Sequence, residues 1–386
     1  LRDPVRLPKI VSTVNVYKVN PVDNVKIYNF SYVAKEGSTA GRGLFLQYVR
    51  NTHIRGFRSY QGAGSAIQVQ KALYTTIENF NIQKPQVTGS GQGYGVQFYG
   101  GCNGVLIRNG FTLDCRHSVD LEGTYDAYVS NVLDYNSRGA AFVMSHNGWA
   151  SDITFHSCQT INTAGNGFVA DSQGFTDPLL CTFYNFNVIN CKVITQSSGT
   201  AGVYFYSPCK NSIVRDCKIR YLSGAEGGYT SLTNTGIRCY PARTELLISG
   251  CDISGFRRGI SLQTAGTIVY ENDNSKITIR DTTIKNCDAA ILMNNGQKRR
   301  VRIYNLDCDN ILAKVFEISG TQSQSEFVVD GLSLTNSDNA FFFTGTFMSP
   351  SGDQCRGYIA NIRTDRPNNY APAANWNLTD SPLYLY

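Results

Sequence analysis

The sequence is poor in charged residues: Asp, Glu, Lys and Arg form 17% of its 386 residues, against about 25% in a typical globular domain. Asn, Ser, Thr, Gly and Tyr take their place, a mixture typical of β-structure with many turns. The net charge is +6, but the longest basic run is only Lys298-Arg299-Arg300, which we interpret as a solvated edge. Because no basic stripe alternates with aromatic residues, the sequence predicts no nucleic-acid groove.

Other signals are absent as well. No apolar run approaches the roughly 20 residues that span a bilayer, so no membrane insertion is predicted. The sequence has neither an initiator Met nor a signal peptide, and we therefore expect it to be part of a longer chain. No Asp-rich cluster of the kind that binds Ca²⁺ occurs, which makes a calcium-dependent enzyme the less favoured interpretation.

Cysteine, in contrast, is plentiful, with 12 residues, but disulfide frameworks belong to short secreted chains. Cys158, Cys217 and Cys251 occupy equivalent places in an internal repeat, where stacked thiols can serve as small apolar core residues. The closest metal-like pair, Cys181 and Cys191, has neither CxxC spacing nor a neighbouring His. We therefore predict buried, reduced cysteines, no metal site, no cofactor, and synthesis in a reducing cytosol.

The repeat begins with a residue that is usually small, followed by the pattern apolar-x-apolar-x. A second alternating strand that bends at Asn, Asp or Gly runs in phase with it, as in Val301-Arg-Ile-Tyr-Asn. A short third strand follows the bend, as in Cys251-Asp-Ile-Ser. The first pattern recurs about every 27 residues, in twelve copies that begin at Gly43, Ala66, Gly95, Ser118, Ala141, Gly167, Gly202, Gly236, Gly259, Ala290, Val315 and Ala340.

Three short strands and three turns per repeat, without helical periodicity, predict an all-β fold, a right-handed parallel β-helix of about twelve rungs. We expect this single solenoid to span residues 23–345. An extended segment at residues 1–22 would lead into it, and residues 346–386 would form a C-terminal cap or connector.

The two longest repeats are consecutive: 35 residues separate Gly167 from Gly202, and 34 separate Gly202 from Gly236. Insertions in a solenoid map to loops, often on the binding face. The sequence therefore predicts two neighbouring loops, near residues 171–181 and 222–234.

Strand alternation directs the two x positions of the first pattern outward, in two columns that advance one rung per about 4.8 Å. The first column is Phe45, Gln68, Gln97, Asp120, Val143, Val169, Tyr204, Arg238, Ser261, Leu292, Glu317 and Phe342. The second column is Gln47, Gln70, Tyr99, Glu122, Ser145, Asp171, Tyr206, Tyr240, Gln263, Asn294, Ser319 and Thr344.

The middle of these columns combines exposed tyrosines with amide and carboxylate groups. Such surfaces are typical of carbohydrate recognition, because aromatic rings stack on sugar faces and planar polar groups hydrogen-bond sugar hydroxyls. An alternative stays open, in which Tyr and Gln merely suit a pleated surface. The predicted substrate-binding residues are Gln97, Tyr99, Tyr204, Tyr206, Arg238 and Tyr240.

Carboxylates on these columns suit glycoside hydrolysis, which needs two carboxyl groups facing the scissile bond. The Cα atoms of Asp120 and Glu122 should be about 6.6 Å apart, and those of Glu122 and Asp171 about 10 Å apart. These spacings fit an inverting enzyme, with carboxyl groups ~6.5–9.5 Å apart, better than a retaining one. We predict Glu122 as general acid and Asp120 or Asp171 as the base, with the reverse assignment open, and His146 as a residue that orients the base.

Two other functions stay open. An elimination reaction would need a base such as Tyr, His or Lys beside a neutralised uronate, and Arg238 with Tyr240 or Tyr206 could supply it. In the other, non-enzymatic alternative, the same residues bind a saccharide without cleaving it, and the face is a receptor-binding or structural surface.

Through its repeats, the chain resembles the β-helical tailspikes and depolymerases of bacteriophages, within the pectin-lyase-like group. The resemblance is most specific at Cys115-Arg-His-Ser-Val-Asp-Leu-Glu-Gly-Thr-Tyr-Asp-Ala and Ala140-Ala-Phe-Val-Met-Ser-His-Asn-Gly. It implies a homotrimer on a phage tail or baseplate, assembled in the host cytoplasm. It also implies a bacterial surface polysaccharide as substrate (capsule, O-antigen or exopolysaccharide) and a carboxylate pair within one subunit or between subunits.

The chain departs from this group in two respects. It lacks the Gly-Asp-Gly motif with paired Asp residues that is frequent at the start of such β-helices. We therefore expect head-binding and cap regions to precede residue 1 in the intact protein. It also lacks the Asn-Thr-Asp and Gly-His-Gly signatures of polygalacturonases, which argues against pectin hydrolysis.

Overall fold

A computed structural model describes most of the chain, and the described part is all-β, with no helix. The described residues are 20–38, 41–89, 91–144, 150–171, 182–222, 234–240, 243–263, 274–323, 325–337, 341–344, 356–365 and 383–385. Within them, no helix is long and apolar enough to cross a membrane.

The strands form one continuous parallel stack. The first sixteen are β1 (Val22–Asp23), β2 (Lys26–Tyr28), β3 (Ser31–Val33), β4 (Leu44–Gln47), β5 (Val49–Arg55), β6 (Arg58–Tyr60), β7 (Ile67–Gln70), β8 (Leu73–Gln83), β9 (Val96–Tyr99), β10 (Cys102–Leu113), β11 (Val119–Leu121), β12 (Thr124–Tyr135), β13 (Phe142–Met144), β14 (Ser151–His156), β15 (Gln159–Thr163) and β16 (Phe168–Ala170). The others are β17 (Phe183–Ile189), β18 (Lys192–Thr195), β19 (Ala201–Phe205), β20 (Cys209–Lys210), β21 (Ser212–Arg215), β22 (Lys218–Tyr221), β23 (Thr235–Cys239), β24 (Glu245–Ser249), β25 (Asp252–Ser254), β26 (Arg258–Gln263), β27 (Lys276–Gln297), β28 (Arg300–Ser323), β29 (Glu326–Thr335), β30 (Phe341–Thr344), β31 (Arg356–Thr364) and β32 (Leu383–Leu385).

Each coil carries three strands, and β27 shows the arrangement in a single element. Its first part pairs in parallel with β24, its middle with β25 and its last part with β26. The next coil, β28, then pairs with β27 over the same three faces. The predicted right-handed parallel β-helix is therefore confirmed. We call the face formed by the apolar-x-apolar-x strands, from β4 to β30, the first face.

The predicted register of the first face is also confirmed. Every step of the first column, from Phe45 opposite Gln68 to Glu317 opposite Phe342, is a paired position of adjacent parallel strands. Parallel pairing also continues beyond residue 345, through β31 and β32, into the part expected as a cap or connector.

The small residue that opens the repeat has a steric reason. A Cβ atom on Gly236 would lie 2.4 Å from Cγ2 of Ile253 and 2.5 Å from the carbonyl oxygen of Gly259 on the next rung. Both contacts are shorter than van der Waals packing allows. Ala141 opens an earlier repeat at the equivalent position and is buried there with its Cβ atom. The space available for this residue therefore differs from rung to rung.

Inside the coils, like residues stack on like residues. The rings of Phe142 and Phe168 are parallel, with centroids 4.7 Å apart. The ten cysteines of the described residues are buried and unbridged, as predicted. Four of them, Cys158, Cys191, Cys217 and Cys251, form a ladder on consecutive rungs, in which neighbouring thiols contact each other.

Two charged side chains also lie inside the described core. Asp134 is fully buried and accepts hydrogen bonds from Thr112 (2.9 Å), Ser137 (2.6 Å) and Thr160 (2.8 Å). Arg299 is 1% exposed, and its Nη1 atom donates to the carbonyl oxygen of Leu262 across 3.5 Å. The interpretation of the Lys298–Arg300 run as a solvated edge is therefore wrong for Arg299, which is buried at the corner before β28 while its neighbours Lys298 and Arg300 are exposed.

Candidate functional site

The three predicted carboxylates lie on first-face strands or directly after them. Asp120 is the middle residue of β11, Glu122 follows that strand directly, and Asp171 directly follows β16. The N–H groups of Glu122 and Asp171 donate to carbonyl oxygens of the preceding rungs, which fixes both in the ladder. Two rungs separate Glu122 from Asp171, which places their Cα atoms about 10 Å apart.

All three carboxylates are more deeply buried than the columns predict. Asp120 is 0% exposed, Asp171 3% and Glu122 5%. Val143 and Val169, which follow Asp120 in the outward column, are buried as well. Alternation predicts the direction of a side chain correctly, but burial depends on what packs over it, and the columns contain no information on that.

A row of polar side chains leads along the first face to Asp120. Oε1 of Gln97 accepts hydrogen bonds from Ser65 (2.9 Å) and from Nε2 of Gln68 (2.8 Å). Its own Nε2 donates to Oδ2 of Asp120 across 3.4 Å. Gln68 and Gln97 are 7% and 6% exposed, so the expected exposure of Gln97 is wrong. The ladder bonds remove these amides from water and orient one of them toward a carboxylate.

Tyr94 is a site residue that the columns do not contain. Its ring stacks on the imidazole of His117, with centroids 5.2 Å apart, and its phenol oxygen accepts a hydrogen bond from Arg116 across 3.3 Å. Burial raises the pKa of Tyr94, and the negative charges of Asp120 and Glu122 raise it further. The phenol therefore lies in the electrostatic field of both carboxylates and stays protonated at neutral pH. Its only sequence signal is its place directly before the small residue of a repeat.

The predicted aromatic residues of the later rungs form one cluster. Tyr204, Tyr206 and Tyr240 pack edge to face, with centroid distances of 5.5–5.7 Å. The guanidinium of Arg238 lies 5.3 Å from the ring centre of Tyr204 and 5.1 Å from that of Tyr240, and Nη2 donates to the Tyr240 hydroxyl across 2.8 Å. Burial, together with Tyr240, raises the pKa of Tyr204. All four side chains are half-buried.

Tyr99 differs from this cluster because it is exposed, at 42%. It lies on the rung before that of Glu122, since the N–H of the next residue, Gly100, donates to the Glu122 carbonyl oxygen across the ladder. His146 lies outside the described residues, as do most of the two predicted loops. No group of three or more His, Cys, Asp or Glu side chains in the described part of the chain is arranged to hold a metal ion.

Comparison with known proteins supports the fold. A family model described as right handed beta helix region matches residues 180–330. No curated protein matches the chain. The fold assignment therefore rests on the strand pairing and on this family model.

Three solved structures illustrate the similarity. The catalytic domain of a GH87 alpha-1,3-glucanase in complex with nigerose is 13% identical, with 92% of this chain and 64% of that chain covered and a TM-score of 0.46. The mannuronan C-5 epimerase AlgE4 A-module of Azotobacter vinelandii is 13% identical, with 95% and 89% covered and a TM-score of 0.44. Tailspike protein 2 from Escherichia coli O157:H7 bacteriophage CAB120 is 11% identical, with 88% and 38% covered and a TM-score of 0.34. The chain thus spans less than two thirds of the glucanase domain.

Proposed function

We propose that the first face binds a bacterial surface polysaccharide and hydrolyses its glycosidic bonds. The observation that carries the proposal is the grouping of three buried carboxylates within three rungs of one face. Glu122 acts as general acid, and Asp120 or Asp171 activates the water. Among the remaining predicted site residues, His146 orients the base.

The surroundings of the carboxylates support acid–base chemistry. Two neighbouring carboxyl groups on one face suit acid–base chemistry, in which one serves as the acid and the other as the base. Gln97 donates a hydrogen bond to Asp120. This contact supports Asp120 as the base and Glu122 as the acid. The Cα spacing of about 6.6–10 Å allows the carboxyl separation of an inverting enzyme.

Binding would involve the exposed ring of Tyr99 and the cluster of Arg238 with its tyrosines. Among the described residues, the buried Nε of Arg238 has no hydrogen-bond partner. Burying such a donor costs free energy unless it is satisfied, and a sugar hydroxyl or carboxylate could satisfy it. Gln97 contributes an amide that already points to the catalytic carboxylate.

Elimination is a second candidate, favoured by one contact. The hydrogen bond from Arg238 to the Tyr240 hydroxyl places a cation beside a phenol, the pair needed to neutralise a uronate and remove its proton. Tyr204, which packs against Tyr240, is unsuited to be the base, because burial raises its pKa and keeps the phenol protonated. We favour hydrolysis, because three buried carboxylates are grouped on the first face.

We further propose that the protein is a phage tail appendage that assembles as a homotrimer. The resemblance of the residues 115–127 and 140–148 to phage tailspikes supports this, as do the buried thiols expected of a protein assembled in a reducing cytoplasm. Light scattering of the intact protein tests the oligomer, and a monomeric mass would contradict it.

The reaction is tested by incubating the protein with capsule, O-antigen and exopolysaccharide preparations and analysing the products by mass spectrometry. Hydrolysis adds one water per bond broken, elimination yields an unsaturated sugar that absorbs in the ultraviolet, and binding alone yields no product. We expect Glu122→Gln to abolish cleavage but to preserve binding. Glu317→Gln, on the same column seven rungs beyond Asp120, is the matched control and should stay active. Full activity of Glu122→Gln would overturn the assignment.

A further inference from the structure

A groove with a volume of about 770 Å³ lies at the corner that follows the first face in the later coils. Of the seven described residues that line it, five are basic: Lys210, Arg243, Lys276, Lys298 and Arg300. Among these described lining residues, Glu245 is the only acidic one. The formal charge of the groove is therefore about +4, whereas the whole chain carries +6. This concentration is unexpected in a chain whose basic residues are scattered along the sequence.

The stacking of the coils brings these basic side chains together. Glu245, Lys276 and Arg300 are paired positions on three consecutive rungs, so their side chains follow one another along the axis at about 4.8 Å. Lys276 forms an ion pair with Glu245 (3.3 Å), and Arg300 forms one with Glu326 on the following rung (3.9 Å), so the described residues of the groove keep a net positive charge. The basic side chains thus form a row parallel to the solenoid axis, which suits a ligand with repeated negative charges.

The backbone at this corner turns in the left-handed conformation. Arg243 (φ +56°) and Lys298 (φ +55°) adopt it, with Asn274 (φ +47°) between them. Of the 30 described non-glycine residues with positive φ, 22 are Asn or Asp, which tolerate this conformation, and Lys71 and Lys84 adopt it at other corners. The turn places Arg243 and Lys298 at equivalent positions two rungs apart, where both line the groove.

The groove continues the proposed carbohydrate surface. Arg243 follows Tyr240 by three residues and Lys210 follows Tyr206 by four, so each pair of Cα atoms is at most about 11–15 Å apart. One elongated ligand can therefore contact the tyrosine cluster and the basic row together. None of the described lining residues is aromatic, which argues against single-stranded nucleic acid, whose binding grooves combine charge with stacking platforms.

We infer that this basic groove binds the anionic groups of an acidic glycan, so that the polysaccharide of the proposed function carries carboxylate or phosphate groups. The inference rests on the proposed function for the glycan itself, but it assigns charge recognition to residues outside the carboxylate site. Such binding is electrostatic and partly exposed, so it should weaken as salt screens the charges.

The test is titration calorimetry with the full chain and four probes: alginate oligosaccharides (carboxylates), a teichoic acid (phosphodiesters), neutral dextran oligosaccharides, and a single-stranded oligonucleotide. We expect an acidic glycan to bind in preference to dextran, with an affinity that falls between 50 and 500 mM salt. The alginate and teichoic acid titrations decide which anionic group is recognised. Binding of dextran alone, or equal binding of the oligonucleotide, would overturn the inference.

Arg243→Gln/Lys298→Gln should weaken acidic-glycan binding roughly 10-fold, because two partly exposed charges are lost. Lys192→Gln/Lys218→Gln removes the same charge from β18 and β22 and serves as the matched control. Circular dichroism melting verifies that both variants fold. If the two double variants bind equally well, the groove is not the site. A different result would contradict the proposed function, namely that the wild-type protein neither binds nor cleaves any polysaccharide.

Discussion

The side chain of Gln97 donates from Nε2 to Oδ2 of Asp120 across 3.4 Å, between two neighbouring rungs of one face. The same amide accepts two hydrogen bonds through Oε1, so its orientation is fixed by the ladder. The carboxylate therefore faces a donor that is already in place before any ligand binds.

Gln97→Leu removes the donor that faces the Asp120 carboxylate. If Asp120 is the base, kcat/KM at neutral pH should fall roughly 10-fold, and the pH profile of kcat/KM should change. Gln47→Leu, on the same face near the start of the solenoid, is the control. An unchanged pH profile with a lowered kcat/KM would show that Gln97 acts on structure alone.

Asp134 predicts a specific pH dependence of stability. Burial raises its pKa from the ordinary value of 3.8 to about 6, although three hydroxyls donate to it. Between pH 4 and 6, the folded state therefore binds more protons than the unfolded state. The contribution of this group to the free energy of unfolding falls as pH rises through that window, by about 3 kcal/mol in total, and is constant above it.

Asp134→Asn should remove this slope, and urea titrations at pH 4.5, 5.5, 6.5 and 7.5 measure it. Asp216→Asn is the control, because that side chain is 59% exposed at a corner. The comparison matters because other carboxylates titrate in the same range. Parallel stability curves for the wild-type protein and Asp134→Asn would contradict the prediction.

Gly236→Ala tests the steric interpretation of the repeat. The added methyl group would meet Ile253 and the backbone of Gly259, so we expect a loss of about 1–3 kcal/mol in the free energy of unfolding. Ala141→Gly is the reciprocal change at an equivalent place and should cost about 1 kcal/mol through backbone entropy. Denaturant midpoints measure both, and a stabilised Gly236→Ala would refute the interpretation.

Tyr99→Ala should weaken oligosaccharide binding about 3- to 10-fold, because an exposed ring beside the carboxylates loses its contact with the sugar. Tyr184→Ala is closely matched, since Tyr184 is 43% exposed against 42% for Tyr99 but lies on β17, outside the first face. Calorimetric affinities that fall equally for both variants would remove Tyr99 from the site.

The fold and the register of the first face follow from the sequence because a period of two residues and a small opening residue repeat twelve times. That periodicity places Asp120 opposite Gln97 and Tyr204 opposite Arg238 without further information. It does not predict burial, because the alternation specifies the direction of a side chain and not what packs over it. It does not predict Tyr94 as a site residue either, because Tyr94 precedes the strand, where no alternation applies.

Arg299 is a second residue whose burial the sequence does not predict. Composition favours a solvated basic run, yet one of its three side chains lies in the core and bonds to the carbonyl oxygen of Leu262. The charge of three neighbouring residues does not show which of their side chains lies in the core. The repeat does not predict which sugar would bind either, because its pattern specifies how the coils stack and not which ligand they recognise.

The coil of β27, which pairs with three strands before it and with β28 after it, implies that the solenoid is modular in length. Since a coil contacts only its neighbours, a whole coil can be duplicated or deleted in evolution without changing the lateral position of any column. Such an event alters only the distance along the axis between the carboxylates and the basic groove. The axial distance between these two groups of residues can thus evolve in steps of one rung, while the residues of each group stay the same.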